Sequence, residues 1–446
     1  MQNFNPMITK RNRYFRLILP VIGMLSFGTA KSQTLSADSL ALNSIINEVV
    51  QSHPMVKKAQ EDLNVSDAKI GVAESLYQPN VDFTSSYTRI GPISSVTIPD
   101  MGSFSFVPHD NYSVAFNVNQ TVFDFGKKEK SISLEKQGKE LSRQSVEQVK
   151  QKLAQAVIAN YYTLVYLQEA LKIKDEQLKT LNEHLAYIKK KQQTGSATQY
   201  EILTTQVRIS TIENQKTDIE TAREVQVSQL NTLLGKPETT DQWVKRDLKV
   251  VAPVLMPDSL MSNAMHNRDE MKLAQEKAKL AQLRYSLTGT QNNPVVNAYV
   301  SGGVKDGFTP YLYDPKLNFT AGFGIRVPIF DGKRMKYNLA QAQSAIQVND
   351  QDTEMARRGI VNEVVEAEAN VNASEKKVAQ SELQLKQATD AYKLAKVKFD
   401  AGVITNLELI EGSTSVSESR LQLLKAKIDY TGSLYKLKSA IGDRLY

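Results

Sequence analysis

The 446-residue chain is 23% charged and 41% hydrophobic, carries a formal net charge of +7 and contains no cysteine. Lys10, Arg11, Arg13 and Arg16 supply most of that positive balance, so no concentrated basic patch is left to bind nucleic acid. The missing cysteines exclude disulfide staples and the thiol on which a bacterial lipoprotein anchor is built.

The first element is a leader. Its four cations precede a short apolar run, Leu17 to Ala30, and small residues at Gly28, Ala30 and Ser32 offer cleavage after Ala30 or Ser32. That layout predicts a secretory signal peptide over residues 1–32. The run is too short, and carries Pro20, to span a bilayer as a helix. No later segment is long and apolar enough for a transmembrane helix, so entry into a membrane would require a closed β-barrel.

A helix is then expected from Ser39 to Tyr77, ending near Pro79. Alternation predicts strands at Val81 to Ile90 and Tyr112 to Phe123. In the second of these, Tyr112, Val114, Phe116 and Val118 alternate with Ser113, Ala115, Asn117 and Asn119. From Lys127 to Gln193 there is no proline and one glycine, Gly138. At 1.5 Å per residue this predicts a helix about 100 Å long. A second long helix follows from Thr198 to Leu234, stopped by Gly235 and Pro237. Around Trp243 to Pro257 lies a linker, and then the plan repeats: helix at Ser259 to Leu287, strands near Val295 to Ser301 and Leu317 to Ile329, helices at 333–399 and 406–440.

The repeat is written in the residues. Phe123-Asp124 returns as Phe330-Asp331, Gly195 as Gly402, and Leu234-Gly235 as Ile441-Gly442, each 207 positions on. The stretches Gly195 to Leu203 and Gly402 to Ile410 align without a gap, and upstream His53 and His266 open matching helical stretches. A constant offset across long helices predicts a structural duplication of one domain, with repeats at about 37–237 and 258–446. Within the helices, Leu164, Leu167, Leu171, Leu178, Leu181, Leu185 and Ile188 predict a coiled-coil face. So do Leu407, Ile410, Thr414, Ser417, Leu421, Leu424 and Ile428.

Period-two strands of about ten residues fit a transmembrane barrel or a half-buried soluble sheet equally. Four strands are too few to enclose an aqueous lumen, so a barrel must be shared between subunits. No phosphate-binding loop, zinc spacing or other catalytic constellation is present, and no cofactor or metal is expected.

This pattern resembles the TolC family of outer-membrane efflux proteins across nearly the whole chain after the leader. The duplicated plan carries the resemblance, with the junctions Val122-Phe-Asp-Phe-Gly126 and Val327-Pro-Ile-Phe-Asp-Gly332 and the two tip motifs. The resemblance implies a mainly α fold with a membrane β-barrel: a homotrimer pooling four strands per chain, near 81–123 and 294–329, into twelve. Below them runs a long coiled-coil α-barrel across the periplasm, and loops 91–111 and 304–316 face the cell exterior. It implies an exit duct in a tripartite efflux or type I secretion system. Its partners would be a periplasmic adaptor, an inner-membrane RND or ABC transporter, and outer-membrane lipid. The positions matching the adaptor-contact tips are Gly195, Thr198, Gly402 and Thr405. Those matching the acidic gate of the periplasmic mouth are Glu408 and Glu411, with glutamate in place of aspartate. A helix start favours acids for its own reasons, which leaves a purely structural role open at both. The competing class is a periplasmic adaptor or other structural coiled-coil protein, for which one hairpin beside a small β-module would be the norm.

Overall fold

The computed structural model describes residues 40–248 and 257–446. The leader and most of the linker lie outside them. The described elements are α1 (Leu42–Ser52), α2 (Pro54–Ser75), β1 (Asn80–Arg89), β2 (Ser95–Ile98), β3 (Gly102–Ser105), β4 (Asp110–Phe123), α3 (Lys127–Gln193) and α4 (Gln199–Leu234). The second half adds α5 (Pro257–Asn267), α6 (Asp269–Thr288), β5 (Val295–Lys305), β6 (Lys316–Arg326), α7 (Arg334–Asp400) and α8 (Asn406–Ala440). The duplication is kept to the residue where it matters most: α3 and α7 are each 67 residues long.

The two upstream helices differ from expectation, because each is broken once. In the first half the break is His53, held extended (φ −64°, ψ 135°) as the residue before Pro54 must be, with its Nδ1 accepting from Met55 N at 3.1 Å. In the second half the break is Arg268 (φ −62°, ψ 132°), so the partner of His53 is Arg268 and not His266, which sits in the last turn of α5. No proline explains this second break; packing does. The Arg268 guanidinium bonds the final carbonyls of α8, at Ser439 (3.5 Å) and Ala440 (3.4 Å), and pairs with Glu270 (2.9 Å) and Glu363 (2.5 Å).

Gly442, just past α8, is pressed against that break. A Cβ there would lie 2.6 Å from Asn267 Cβ and 2.8 Å from Arg268 N, and its φ is +85°. Its duplicate Gly235 has φ +68° but open space around it. Gly442→Ala is therefore expected to cost on the order of 2–4 kcal/mol through strain plus overpacking, and Gly235→Ala only about 1 kcal/mol. Thermal unfolding of the two purified variants checks this; equal falls in midpoint would contradict it.

The main sheet is antiparallel, in the order β1-β4-β5-β6. Its register sorts the side chains into two faces. On one, Phe83 lies opposite Phe116, Val81 opposite Val118, Val114 opposite Val304, and Val304 opposite Leu317. The rings of Phe83 and Phe116 stand 5.2 Å apart. On the other, Asp82, Asn117, Ser301 and Thr320 run across all four strands. Here Asn117 donates to Thr84 Oγ1 (3.0 Å) and Ser301 donates to Asn117 Oδ1 (2.7 Å). The apolar face is bare: Phe319 is 84% exposed and Leu317 87%. An apolar face of that size on a water-soluble sheet would be covered; uncovered, it fits lipid. Between β1 and β4, in the stretch expected as a plain external loop, β2 and β3 form a short hairpin of their own.

Each strand-to-helix junction uses the same device. Asp124 Oδ2 accepts from Lys128 N at 2.9 Å, and Asp331 Oδ2 from Met335 N at 2.9 Å. Both caps demand left-handed backbone, at Phe125 and Gly126 in one and at Gly332 and Lys333 in the other. Beside the sheet the helices pack in the order α2, α3, α6, α7; further along, the order is α4, α3, α8, α7.

Candidate functional site

The two long hairpins end at one place. α3 closes at Gly195 (φ +75°), where Gly195 N donates to Gln192 O and Ser196 N reaches back to Lys191 O at 2.8 Å. α7 closes at Gly402 (φ +72°), with Gly402 N on Phe399 O and Val403 N on Lys398 O at 2.8 Å. This paired-bond ending requires a residue at positive φ, which glycine adopts without strain. Apart from its chain neighbours, neither glycine has an atom of the described residues within 4 Å of where a Cβ would stand.

Each next helix opens with a reciprocal capping box. Thr198 Oγ1 accepts from Glu201 N (3.3 Å) while Thr198 N donates to Glu201 Oε2 (2.6 Å). Thr405 Oγ1 accepts from Glu408 N (3.2 Å) while Thr405 N donates to Glu408 Oε2 (2.7 Å). The second box decides what Glu408 does locally. Its carboxylate is tied back to the helix start, and the Thr405 N–H and hydroxyl hold its pKa below the ordinary value. Glu408 is thus a cap first, as its duplicate Glu201 is. Glu411 is exposed and has no such tie.

The exposed face of α8 continues from Glu408 and Glu411 through Ser415 to Glu418, while Leu409, Ile410, Ser413, Thr414, Val416 and Ser417 are buried. Glu418 therefore extends the acidic line by two turns. Spacing alone could have found it, seven residues after Glu411. Leu407, expected at the start of the buried seam, is 52% exposed; the seam starts at Leu409 and Ile410.

The hairpins are joined within one chain. Ile188, Ile202, Phe399 and Leu409 form one buried cluster near the tips, and Leu181, Ile209, Ile212 and Ile410 another just beyond. Asn406 fastens the join: its Nδ2 donates to Thr205 Oγ1 (3.1 Å) and Glu201 O (3.3 Å), and its Oδ1 lies 2.5 Å from His184 Nε2. Neither Asn406 nor His184 stood out in the sequence, because no periodicity marks a lone polar contact between distant helices. Higher up, the seven-residue gap between Leu171 and Leu178 holds the buried Lys174, whose Nζ donates to Gln215 Oε1 at 2.8 Å. Burial lowers its pKa.

The sequence model of the outer membrane efflux protein family matches residues 45–236 and 260–443, most of the chain and both repeats. The chain belongs to the outer membrane efflux protein family. As a member of it, the chain is an outer-membrane efflux channel extending into the periplasm. The family is one of passive channels. Among relatives, nodulation protein T of Rhizobium leguminosarum bv. trifolii is 20% identical over 90% of this chain and 85% of its own. The proteases secretion protein PrtF of Dickeya chrysanthemi is 20% identical over 96% of this chain and 92% of its own. The crystal structure of the outer membrane protein VceC from Vibrio cholerae superposes with a TM-score of 0.74 at 17% identity, covering 91% of this chain and 97% of that one. That likeness is one of fold.

Proposed function

We propose that this outer membrane efflux protein is a homotrimeric exit duct without catalytic activity. Cargo from an inner-membrane RND or ABC transporter would reach it through a periplasmic adaptor. The carrying observation is the sheet with one lipid-fit face and two open edges, β1 and β6. In hydrocarbon an open edge leaves backbone groups unpaired, at several kcal/mol each, so the edges must pair with other copies.

The helices also leave apolar surface open at both flanks of the chain. The outermost helices beside the sheet are α2 and α7, and each shows bare apolar residues: Val65 and Val72 on the first, Val348 and Met355 on the second. Further along the outermost are α4 and α7, with Leu203 and Val207 facing outwards on one and Leu394 and Val397 on the other. A neighbouring copy presenting α7 to α2 and α4 covers all of them and brings β6 to β1. Three copies give twelve strands, enough for an aqueous lumen.

In this reading residues 1–32 are the export signal, and 33–446 form a single domain of two repeats, about 37–237 and 258–446. The tips at Gly195, Thr198, Gly402 and Thr405 receive the adaptor. Glu408 and Glu411 line the periplasmic mouth, the first pinned by its cap and the second free. Native mass spectrometry of the detergent-solubilised protein is expected to give a trimer. A stable monomer would overturn the reading.

A further inference from the structure

The polar face of the sheet is not evenly charged. Its middle carries only neutral side chains, such as Asn117, Ser301, Thr320 and Tyr299, the last lying over Gly322. At the end next to the helices stand one acid, Asp82, and one base, Arg326, which offset each other. At the opposite end, next to the external loops, Lys305 and Lys316 are directly paired across β5 and β6. Like charges placed opposite each other destabilise a sheet, so the pair stands out.

Neither lysine makes an ion pair among the described residues. The Nζ of Lys305 lies over the Phe308 ring at 5.2 Å, and that of Lys316 over the Tyr311 ring at 5.2 Å. Those aromatic faces position the ammonium groups and soften their repulsion without cancelling charge. Three carboxylates lie nearby in sequence or register, and none forms an ion pair with either ammonium: buried Asp306 accepts from Tyr112 N (2.9 Å), Asp110 holds Arg89 (3.3 Å) and Tyr87 (2.8 Å), and Asp314 stands two residues before Lys316. The register also rules out a lipid-facing role. The residues next to this pair, Val304 and Leu317, lie on the apolar face, so Lys305 and Lys316 point to the lumen side.

We propose that, in the trimeric barrel argued above, Lys305 and Lys316 form a basic ring at the external exit that binds multivalent phosphate-type anions. Six ammonium groups around one low-dielectric passage focus a positive field there. The ring lies at the far end of the duct from Glu408 and Glu411, so the two mouths carry opposite charge. Replacing both lysines relieves a like-charge pair and removes no ion pair, so assembly is expected to survive.

The test uses the full-length protein in planar bilayers, with sodium triphosphate added on the external side. Wild type is expected to show voltage-dependent block, because the site lies within the membrane field. In Lys305→Gln/Lys316→Gln the half-blocking concentration should rise by about tenfold or more, with ion preference shifted towards cations. Calorimetric titration of triphosphate into detergent-solubilised protein at low salt gives a second reading that needs no open channel. It should show binding that weakens with salt and is lost in the double variant. Equal block and equal binding in the two proteins would overturn the ring, as would voltage-independent block, which would place the anion among external headgroup-like sites. A trimer that conducts yet ignores triphosphate defeats only the ring; failure to assemble defeats the channel architecture on which it rests.

Discussion

Arginine at both Gly195 and Gly402 is expected to abolish export while leaving the channel assembled in the outer membrane. The substitution has two effects. The first is backbone strain, since both positions have φ above +70°. A side chain there costs about 1 kcal/mol per site, too little to undo helices of 67 and about 35 residues. The second is bulk and charge on a surface where, among the described residues beyond the chain neighbours, no atom lies within 4 Å of the Cβ position. If the adaptor packs on these turns, it must approach that empty space closely, and a guanidinium on each tip would hold it off. Gly402→Asn is the control, because asparagine tolerates left-handed backbone with little added bulk. Export by the asparagine variant should stay near wild type, and export by the double arginine variant should fall by about a hundredfold or more, a loss of some 3 kcal/mol of docking energy. Efflux in a strain lacking the native channel, together with recovery of trimer from the membrane fraction, measures both. Normal export by the double arginine protein would remove the tips from the adaptor contact.

Much of this architecture was legible because the chain states it twice. Any single glycine could end a helix, but Gly195 and Gly402, 207 positions apart and each followed three residues later by a threonine, fix two hairpins of one design. The equal lengths of α3 and α7 follow from the same constraint, since parallel walls of one duct must reach the same depth. The strands were legible as alternation, yet their two-sided alternatives were not separable until the register showed four strands agreeing on one apolar face. What escaped was set by contacts distant in sequence. The break at Arg268 is imposed by Gly442 and the end of α8, some 170 residues away, with no local signal in α5 or α6. The tie from Asn406 to His184 and Thr205 joins three helices through one amide. The hairpin of β2 and β3 is short and rich in serine, which dilutes its pattern below notice.

The acidic line on α8 leads to the other large effect. Among the helices α4, α3, α8 and α7, α8 lies inside the row, so its exposed face is turned away from neighbouring copies. Three copies would bring the Glu408 and Glu411 carboxylates around one axis, where they draw cations into the mouth. Replacing both with glutamine is expected to raise the half-blocking concentration of a trivalent cation, applied from the periplasmic side, by about tenfold or more. Glutamine serves in a capping box, so Glu408→Gln removes charge and keeps the helix start. Glu408→Ala removes both and should loosen the helix start as well. The decisive control is Glu201→Gln, which alters the duplicate box on α4, an outermost helix of the row. If any acid near the tips sufficed, that change would weaken block as much as Glu411→Gln does. The acidic line predicts that it does not. Acidification supplies an independent check with a definite sign. The pKa of Glu408 is depressed by its bonds from Thr405, so its share of tip stability is present above the unfolded carboxylate pKa and is lost only as pH falls through the depressed value. Block should therefore decline in acid later in wild type than in Thr405→Val, where the hydroxyl that helps to hold the charge is gone. Equal pH profiles in those two proteins would separate the cap from the gate and leave Glu411 to carry the mouth alone.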